Sequence, residues 1–226
     1  MLASDLISNP WFWFAAAYLT GSIPFGLVVT WMAGKGDVRQ VGSGNIGTTN
    51  VLRAGGKGLA ALTLLLDAAK GGVLVWIASQ YALGGGILAG MGAFLGHCFP
   101  IFLLFRGGKG VATYLGIALA LNPMTAIVFA VVWLGTAALF RMSSLAGLVA
   151  TLAAPLIPLV HGQWDKGLLL AGMTAIVIAK HEANIGRLLR GEEPKIGQKS
   201  APLTSEDSAT ANAQDPGTPR SGPGLG

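Results

Sequence analysis

Seven apolar stretches dominate the chain, at about residues 10–33, 59–82, 87–105, 111–121, 124–140, 145–160 and 167–180. A helix of about 20 apolar residues crosses the hydrocarbon core of a bilayer, and helices satisfy their own backbone there. A single soluble core has no room to bury so many runs of that length in 226 residues. Only 11% of residues are charged, against about 25% in soluble domains, and the mean hydropathy is +0.61. Glycine, at 34 residues, is abundant, as in helices that pack closely within a bilayer. The pattern predicts an all-α polytopic membrane protein. The stretch at 111–121 is short and ends at Asn122-Pro123, which fits a short tilted helix or half of a re-entrant hairpin.

The basic residues set the orientation. Lys35, Arg39, Arg53 and Lys57 follow the first stretch, Arg106 and Lys109 the third, and Arg141 the fifth. Lys180, Arg187, Arg190, Lys195 and Lys199 follow the last. If the stretches alternate in direction these all share one face, and the opposite loops carry only Lys166. By the positive-inside rule this predicts seven transmembrane helices, with the N-terminus out and the C-terminus cytoplasmic. The first apolar run has no basic residue before it and is longer than a secretory h-region, so it reads as a retained helix. The net charge of +5 is spread between apolar runs rather than along one stripe, which argues against a nucleic-acid partner. The single Cys98 rules out an intramolecular disulfide framework. Residues 1–197 form the membrane domain; the composition of 198–226 predicts a disordered low-complexity tail.

The glycines of "VGSGNIGTTNVLRAGG" (41–56) pose a question of function. Gly42, Gly44 and Gly47 fit G-x-G-x-x-G, and Asp67 follows about 20 residues on, as in a dinucleotide fingerprint. That fingerprint needs a strand before it and a βαβ unit around it, whereas Asp67 lies inside an apolar stretch. "FRGGKGVAT" is no Walker A loop either, since Gly110 stands where Ser or Thr would hold magnesium. A more general physics remains. "GGKG" occurs at 55–58 and 107–110, each time opening a helix from the basic face, and Ser143 and Ser144 are good N-caps for a third. Helix N-termini favour anions, and Lys57, Lys109, Arg53 and Arg106 add charge. Basic glycine turns also serve as ordinary cytoplasmic loops, and these residues alone leave both readings open.

In "KHEANIGRLLRGEEPKIG", His181, Asn184 and Arg187 recur at i, i+3 and i+6, near one helix face. A histidine, an amide and a guanidinium there suit a phosphate and a hydroxyl together. Asp67 and Lys70, at i and i+3 within a spanning stretch, read as a structural ion pair or an intramembrane functional pair. His97 precedes Pro100 and fits core packing or a site equally well. His161 and Asp165, near Trp164, read as interfacial, as does the aromatic cluster at 11–14. With no metal-ligand cluster in the sequence, neither metal nor cofactor is expected.

Three blocks, "SGNIGTTNVLRAGGKG", "GHCFPIFLLFRGGKGVAT" and "HEANIGRLLRGEE", resemble the signature blocks of the bacterial acyl-phosphate:glycerol-3-phosphate acyltransferases, the PlsY family. "GSIPFG" (21–26) and "LDAAKG" (66–71) resemble flanking features, and the resemblance covers about residues 10–197. Thr48 stands where the family usually has Ala. Ala146-Gly147 follows "RMSSL" where Ser is common, so the resemblance leaves open which of Ser143 and Ser144 contacts substrate. It implies an enzyme of the bacterial cytoplasmic membrane, with seven spans, a cytoplasmic active site and a monomeric state. The implied reaction moves a fatty acyl group from acyl phosphate to position 1 of sn-glycerol 3-phosphate, giving lysophosphatidic acid and phosphate as the first step of phospholipid synthesis. By the same resemblance Ser43, Arg53, Lys109, His181 and Asn184 are catalytic. Gly44, Asn45, Gly47, Thr48, Gly107, Gly108, Ser143, Ser144, Arg187 and Glu193 bind substrate or support the site.

Many glycerophosphate acyltransferases pair a base histidine with an aspartate five residues on, but none of His97, His161 and His181 has that partner. An acyl phosphate carries its own good leaving group, which points to electrostatic catalysis by cations and helix N-termini. His181 and Asn184 would orient the hydroxyl, and His181 or the substrate phosphate would take the proton. The rival reading is a transporter or channel for phosphorylated metabolites, since polar groups between helices also mark permeation paths. Polar residues gathered on one face only argue against it.

Overall fold

The computed structural model describes residues 3–198, and among them every regular element is helical. The expected tail lies outside the described residues, apart from Gln198. A short helix, α1 (Ala3–Ser8), precedes α2 (Pro10–Gly21) and α3 (Phe25–Met32). Then follow α4 (Thr48–Gly55), α5 (Lys57–Tyr81), α6 (Gly85–Cys98) and α7 (Val111–Leu121). The chain continues through α8 (Pro123–Phe140), α9 (Ser143–Ala153), α10 (Leu156–Val160), α11 (Trp164–Lys180) and α12 (Glu182–Leu189).

Five segments among the described residues are long and apolar enough to cross a membrane: 10–32, 57–81, 85–103, 123–140 and 143–160. The pair α11 and α12, bent by 64°, makes a sixth if it counts as one span. The apolar helix α7 has only 11 residues, about 16 Å at 1.5 Å per residue. Local chemistry sets several boundaries. Asn9 and Asn122 cap α2 and α8, their side-chain oxygens accepting from Trp11 N (3.0 Å) and Met124 N (3.0 Å). In both helices a proline takes the first position, where no amide hydrogen is needed. Pro24 divides α2 from α3, and the break is tied down rather than left open. Tyr18 Oη donates to Phe99 O at 2.9 Å, and Ser22 Oγ accepts from Ile101 N at 3.4 Å.

Glycine sets how closely the helices approach. A methyl group at Gly92 would meet the backbone of Phe14, and one at Gly21 the backbone of Ala93, so α2 and α6 touch main chain to main chain. Gly116 of α7 lies on Ala68 of α5 in the same way. Small residues at such crossings are the means of helix association in lipid, where apolar burial gives no drive. Tyr114 fills the centre between Phe94 and Phe129, and its hydroxyl meets Leu170 O and Thr174 Oγ1, both at 3.2 Å. Trp31, Trp76, Leu65, Val131 and Leu134 stay exposed, as side chains that face lipid do.

Two expectations need correcting. Ser143 and Ser144 are not N-caps: Met142 holds that position with no side-chain bond, and both serines lie in the first turn of α9. The segment between the first two apolar runs is not all loop, because α4 stands there, opened by Gly47 and closed by Gly56 (φ 84°).

Candidate active site

One cavity of about 930 Å³ opens at the end of the bundle where the breaks between helices gather. Its polar end is lined by Ser43, Asn45, Gly47, Thr48, Arg53, Lys109, Ser143, Ser144, His181, Asn184, Arg187 and Glu193. Its apolar end runs between helices along Leu64, Val111, Leu115, Phe129, Trp133 and Leu134. Of the residues expected from sequence, Gly44, Gly107 and Gly108 are not on the wall. Gly44 turns the loop with φ 67°, and Gly107 and Gly108 lie beneath it, against the end of α6. Lys57 and Arg106 are likewise absent from the lining.

The first wall is the 38–50 segment, which Asn50 holds in shape. Its amide donates to Val38 O (2.7 Å) and Asn45 O (2.8 Å), while its oxygen accepts from Ser43 N (3.1 Å). Asn45 Oδ1 accepts from Gly47 N at 3.0 Å, an Asx turn that leads into α4. The amides of Thr48 and Thr49 open α4 ahead of its first intrahelical bond, which Asn50 N makes to Gly47 O at 2.9 Å, and both threonines line the cavity. The Thr48 hydroxyl is buried without a hydrogen-bond partner. One turn on, Arg53 is half-buried and makes no hydrogen bond among the described residues, leaving its guanidinium to a ligand.

The second wall is Lys109, at the end of a glycine loop. Gly110 takes φ 84° and caps α7, a left-handed conformation open to glycine at little cost. Lys109 Nζ donates to Asn184 Oδ1. The third wall is the bend between α11 and α12, where His181 sits as the shared cap residue. His181 Nδ1 donates to Val177 O at 2.7 Å, which leaves Nε2 of the neutral ring an acceptor without a hydrogen bond among the described residues. Asn184 Nδ2 donates to Glu193 Oε1 (2.6 Å), and Arg187 Nε donates to Glu193 Oε2 (2.9 Å). Lys109, Asn184, Glu193 and Arg187 thus form one continuous chain of contacts.

Electrostatics follow from crowding three cations around one carboxylate. Burial pulls the Lys109 pKa down to about 8; Glu193 opposes this, while Arg187 and Arg53 reinforce it. Burial likewise pulls His181 down to about 4, opposed by its bond to Val177 and abetted by Lys109. Arg53 is lowered by burial, with Glu193 raising and Arg187 lowering it. Burial pushes Glu193 up, but Ser144, Asn184 and Arg187 together hold it below its usual range. The Ser144 hydroxyl acts on that carboxylate by proximity, since it forms no hydrogen bond of ordinary geometry. Arg53, Lys109 and Arg187 against Glu193 leave a formal surplus of two positive charges, which matches a phosphate dianion.

Sequence reasoning passed over two features. Asn50 went unnoticed because its partners, Val38, Ser43 and Asn45, are its own loop rather than a ligand. Asp67 forms the expected pair with Lys70 at 2.8 Å, and with His97 it also lines the cavity.

Comparison with known proteins agrees with this geometry. Residues 11–191 match the family described as "Glycerol-3-phosphate acyltransferase". A protein of that name from Rhizobium meliloti (strain 1021) is 57% identical over 182 residues, covering 80% of this chain and 90% of the relative. Another from Maricaulis maris (strain MCS10) is 51% identical over 207 residues, covering 91% and 94%. Among solved structures, PlsY (YgiH), an integral membrane glycerol 3-phosphate acyltransferase, in its glycerol 3-phosphate form superimposes with a TM-score of 0.80 at 40% identity. That match covers 83% of this chain and 96% of the other. The lysophosphatidic acid form of the same enzyme gives 0.77 at 39% identity, covering 83% and 95%.

Proposed function

The chain belongs to the glycerol-3-phosphate acyltransferase family, and on that premise we propose that its donor is an acyl phosphate and its acceptor the hydroxyl at position 1 of sn-glycerol 3-phosphate. The observation that carries the reading is the two-ended cavity: a pocket with surplus positive charge, continuous with an apolar groove. Each end suits one part of lysophosphatidic acid, the phosphate at the helix breaks and the chain among Leu115, Phe129 and Trp133. A permeation path has less support, because the polar lining does not continue beyond the groove.

In the proposed reaction the glycerol hydroxyl oxygen attacks the acyl carbonyl carbon. The bond from that carbon to the phosphate oxygen breaks, and phosphate leaves with the electron pair. Arg53, Lys109 and the first-turn amides of α4 stabilise the charge on the phosphates. His181 Nε2 accepts the hydroxyl hydrogen bond and sets the line of attack, with Asn184 beside it. An imidazole with a pKa of about 4 is a weak base, so the proton goes onward to the departing phosphate. Ser43, Asn45, Thr48, Ser143 and Ser144 complete the lining, and Arg187 and Glu193 hold Asn184 and Lys109 in place. No cofactor or metal has a role in these steps.

The protein crosses the bacterial cytoplasmic membrane seven times in this reading, α7 being the short crossing, and acts as a monomer. The N-terminus lies outside and the site faces the cytoplasm, as the side rich in Lys and Arg requires. A cysteine introduced at Gln163 should react with an impermeant maleimide in intact cells, and one at Gly191 only once the membrane is opened. Labelling of both from outside would overturn the topology.

The activity test uses detergent-purified protein, labelled glycerol 3-phosphate and three donors: acyl phosphate, acyl-CoA and acylated acyl carrier protein. Lysophosphatidic acid and inorganic phosphate should appear with acyl phosphate alone. Product from the thioesters instead would replace the donor, and no product from any donor by folded protein would refute the reading.

A further inference from the structure

The mechanism leaves a buried polar cluster unused. Asp67, Lys70 and His97 lie behind the Lys109 loop, with relative exposures of 2%, 8% and 4%. Lys70 Nζ meets Asp67 Oδ1 at 2.8 Å and donates to Ile23 O, at the break between α2 and α3, at 2.9 Å. His97 Nδ1 stands 3.7 Å from the same Asp67 oxygen, and each of those two atoms lacks a well-formed hydrogen bond. His97 also touches the glycine loop twice. Its carbonyl accepts from Gly108 N at 3.0 Å, and its ring occupies the space a side chain on Gly108 would need.

An ion pair present only to neutralise Lys70 needs neither an imidazole nor a place on the cavity wall. A buried polar atom without a well-formed hydrogen bond is costly, so the arrangement calls for an explanation. We infer that Asp67 and His97 are positioning residues for Lys109: His97 seats the Gly107–Gly110 loop through its carbonyl and ring, and Asp67, paired with Lys70 at the break in the first span, sets that ring's orientation by facing it at 3.7 Å. The groups then run in series from Ile23 through Lys70 and Asp67, across the 3.7 Å approach to His97, to Gly108, next to the lysine. A loop carrying a phosphate-binding cation benefits from such a seat, since a misplacement of about 1 Å costs about 10²-fold in rate. The glycines at 107 and 108 are explained at the same time: a side chain at either would lift the loop off His97 and Pro100.

The inference rests on the proposed role of Lys109, and the test separates the two. Full-length protein in detergent is assayed for kcat and KM with both substrates, alongside its melting temperature. Asp67→Asn combined with Lys70→Met removes both charges and keeps the interior neutral. It should melt close to wild type while kcat/KM falls by about 10²-fold. His97→Asn keeps a donor toward Asp67 and should stay within about threefold of wild type, whereas His97→Leu should lose as much as the double variant. In a Lys109→Met background the same Asp67→Asn and Lys70→Met pair should cost nothing further, because it acts through that lysine. Activity of the double variant within about threefold of wild type overturns the inference. So do equal losses in His97→Asn and His97→Leu, or losses that multiply in the Lys109→Met background. If the double variant does not fold, the two His97 substitutions, which leave the Lys70–Asp67 pair intact, decide alone. Full turnover by Lys109→Met would instead overturn the reading of the site itself.

Discussion

Raising the pH should switch off substrate capture well before ordinary lysines lose charge. Lys109 titrates near 8 because burial removes water from its ammonium and two guanidiniums face it. On that value about 90% of the enzyme carries the charge at pH 7 and about 10% at pH 9, whereas a lysine near 10.4 would still be about 96% charged at pH 9. If the charge is needed to capture a phosphate, kcat/KM falls by about tenfold between pH 7 and 9. The substrate does not confuse the reading, because a phosphomonoester with a second pKa of about 6 is already dianionic over this range. Bound phosphate stabilises the ammonium, so the alkaline limb of kcat should lie above that of kcat/KM. The assay is initial-rate phosphate release by detergent-solubilised enzyme at substrate well below KM, corrected for spontaneous hydrolysis. Lys109→Arg supplies the control: a guanidinium stays charged, and the limb near 8 should vanish whatever activity remains. A flat kcat/KM from pH 7 to 9, or a limb unchanged in Lys109→Arg, would refute the assignment of that charge to capture.

Four further substitutions probe other parts of the framework. Glu193→Gln puts a donor amide where Asn184 and Arg187 both donate; it should lower kcat/KM by about 10- to 100-fold and, by removing the charge that supports Lys109, move the alkaline limb below 8. Asn50→Ala leaves Val38 O, Asn45 O and Ser43 N without their partner, at about 1–3 kcal/mol per buried group; amide exchange over 38–47 should speed up selectively and KM for the phosphorylated substrates should rise. Gly116→Val pushes a side chain into Ala68 O, whereas Gly135 has open space. The first should lower stability by about 1–3 kcal/mol or more, and Gly135→Ala should raise it by up to about 1 kcal/mol, both read from thermal unfolding in detergent.

The apolar helices were legible because length and hydropathy suffice to define them: the runs read from sequence reappear as α2 to α3, α5, α6, α7, α8, α9 to α10 and α11, although among the described residues only five of these segments, or six with α11 and α12 joined, are long and apolar enough to span. Site residues sharing one helix were legible for a similar reason, since His181, Asn184 and Arg187 repeat with the period of a turn. What stayed hidden depended on packing between elements. Helix α4 is too short and too mixed in composition to announce itself, and its place is set by Asn50 reaching back to Val38. Lys109 meets Asn184 across 75 positions, and no local spacing encodes that. Asp67 was readable as a partner of Lys70 on its own helix but not as a neighbour of His97, which another helix delivers.

The location of the site follows from the same physics. In a bilayer the backbone can leave the helical state only where protein or a water-filled cavity covers it. This chain does so at the loop before α4, at the glycine loop before α7 and at the bend after α11, and all three line one cavity. A break frees amides and carbonyls that must find partners nearby: the Asn50 side chain serves the first, the His97 carbonyl the second and the His181 ring, with Val177 O, the third. Once those partners are in place, the N–H groups and cations left over point at a common space. A pocket for phosphate is then what remains after the breaks have satisfied themselves. On this view substitutions along α8, which has no break and borders the cavity only with Phe129, Ala130, Trp133 and Leu134, should alter chain preference without touching phosphate affinity. Trp133→Ala should therefore shift the preferred donor toward longer chains at an unchanged KM for glycerol 3-phosphate; a KM raised by about tenfold or more would show that the two ends of the cavity are not independent.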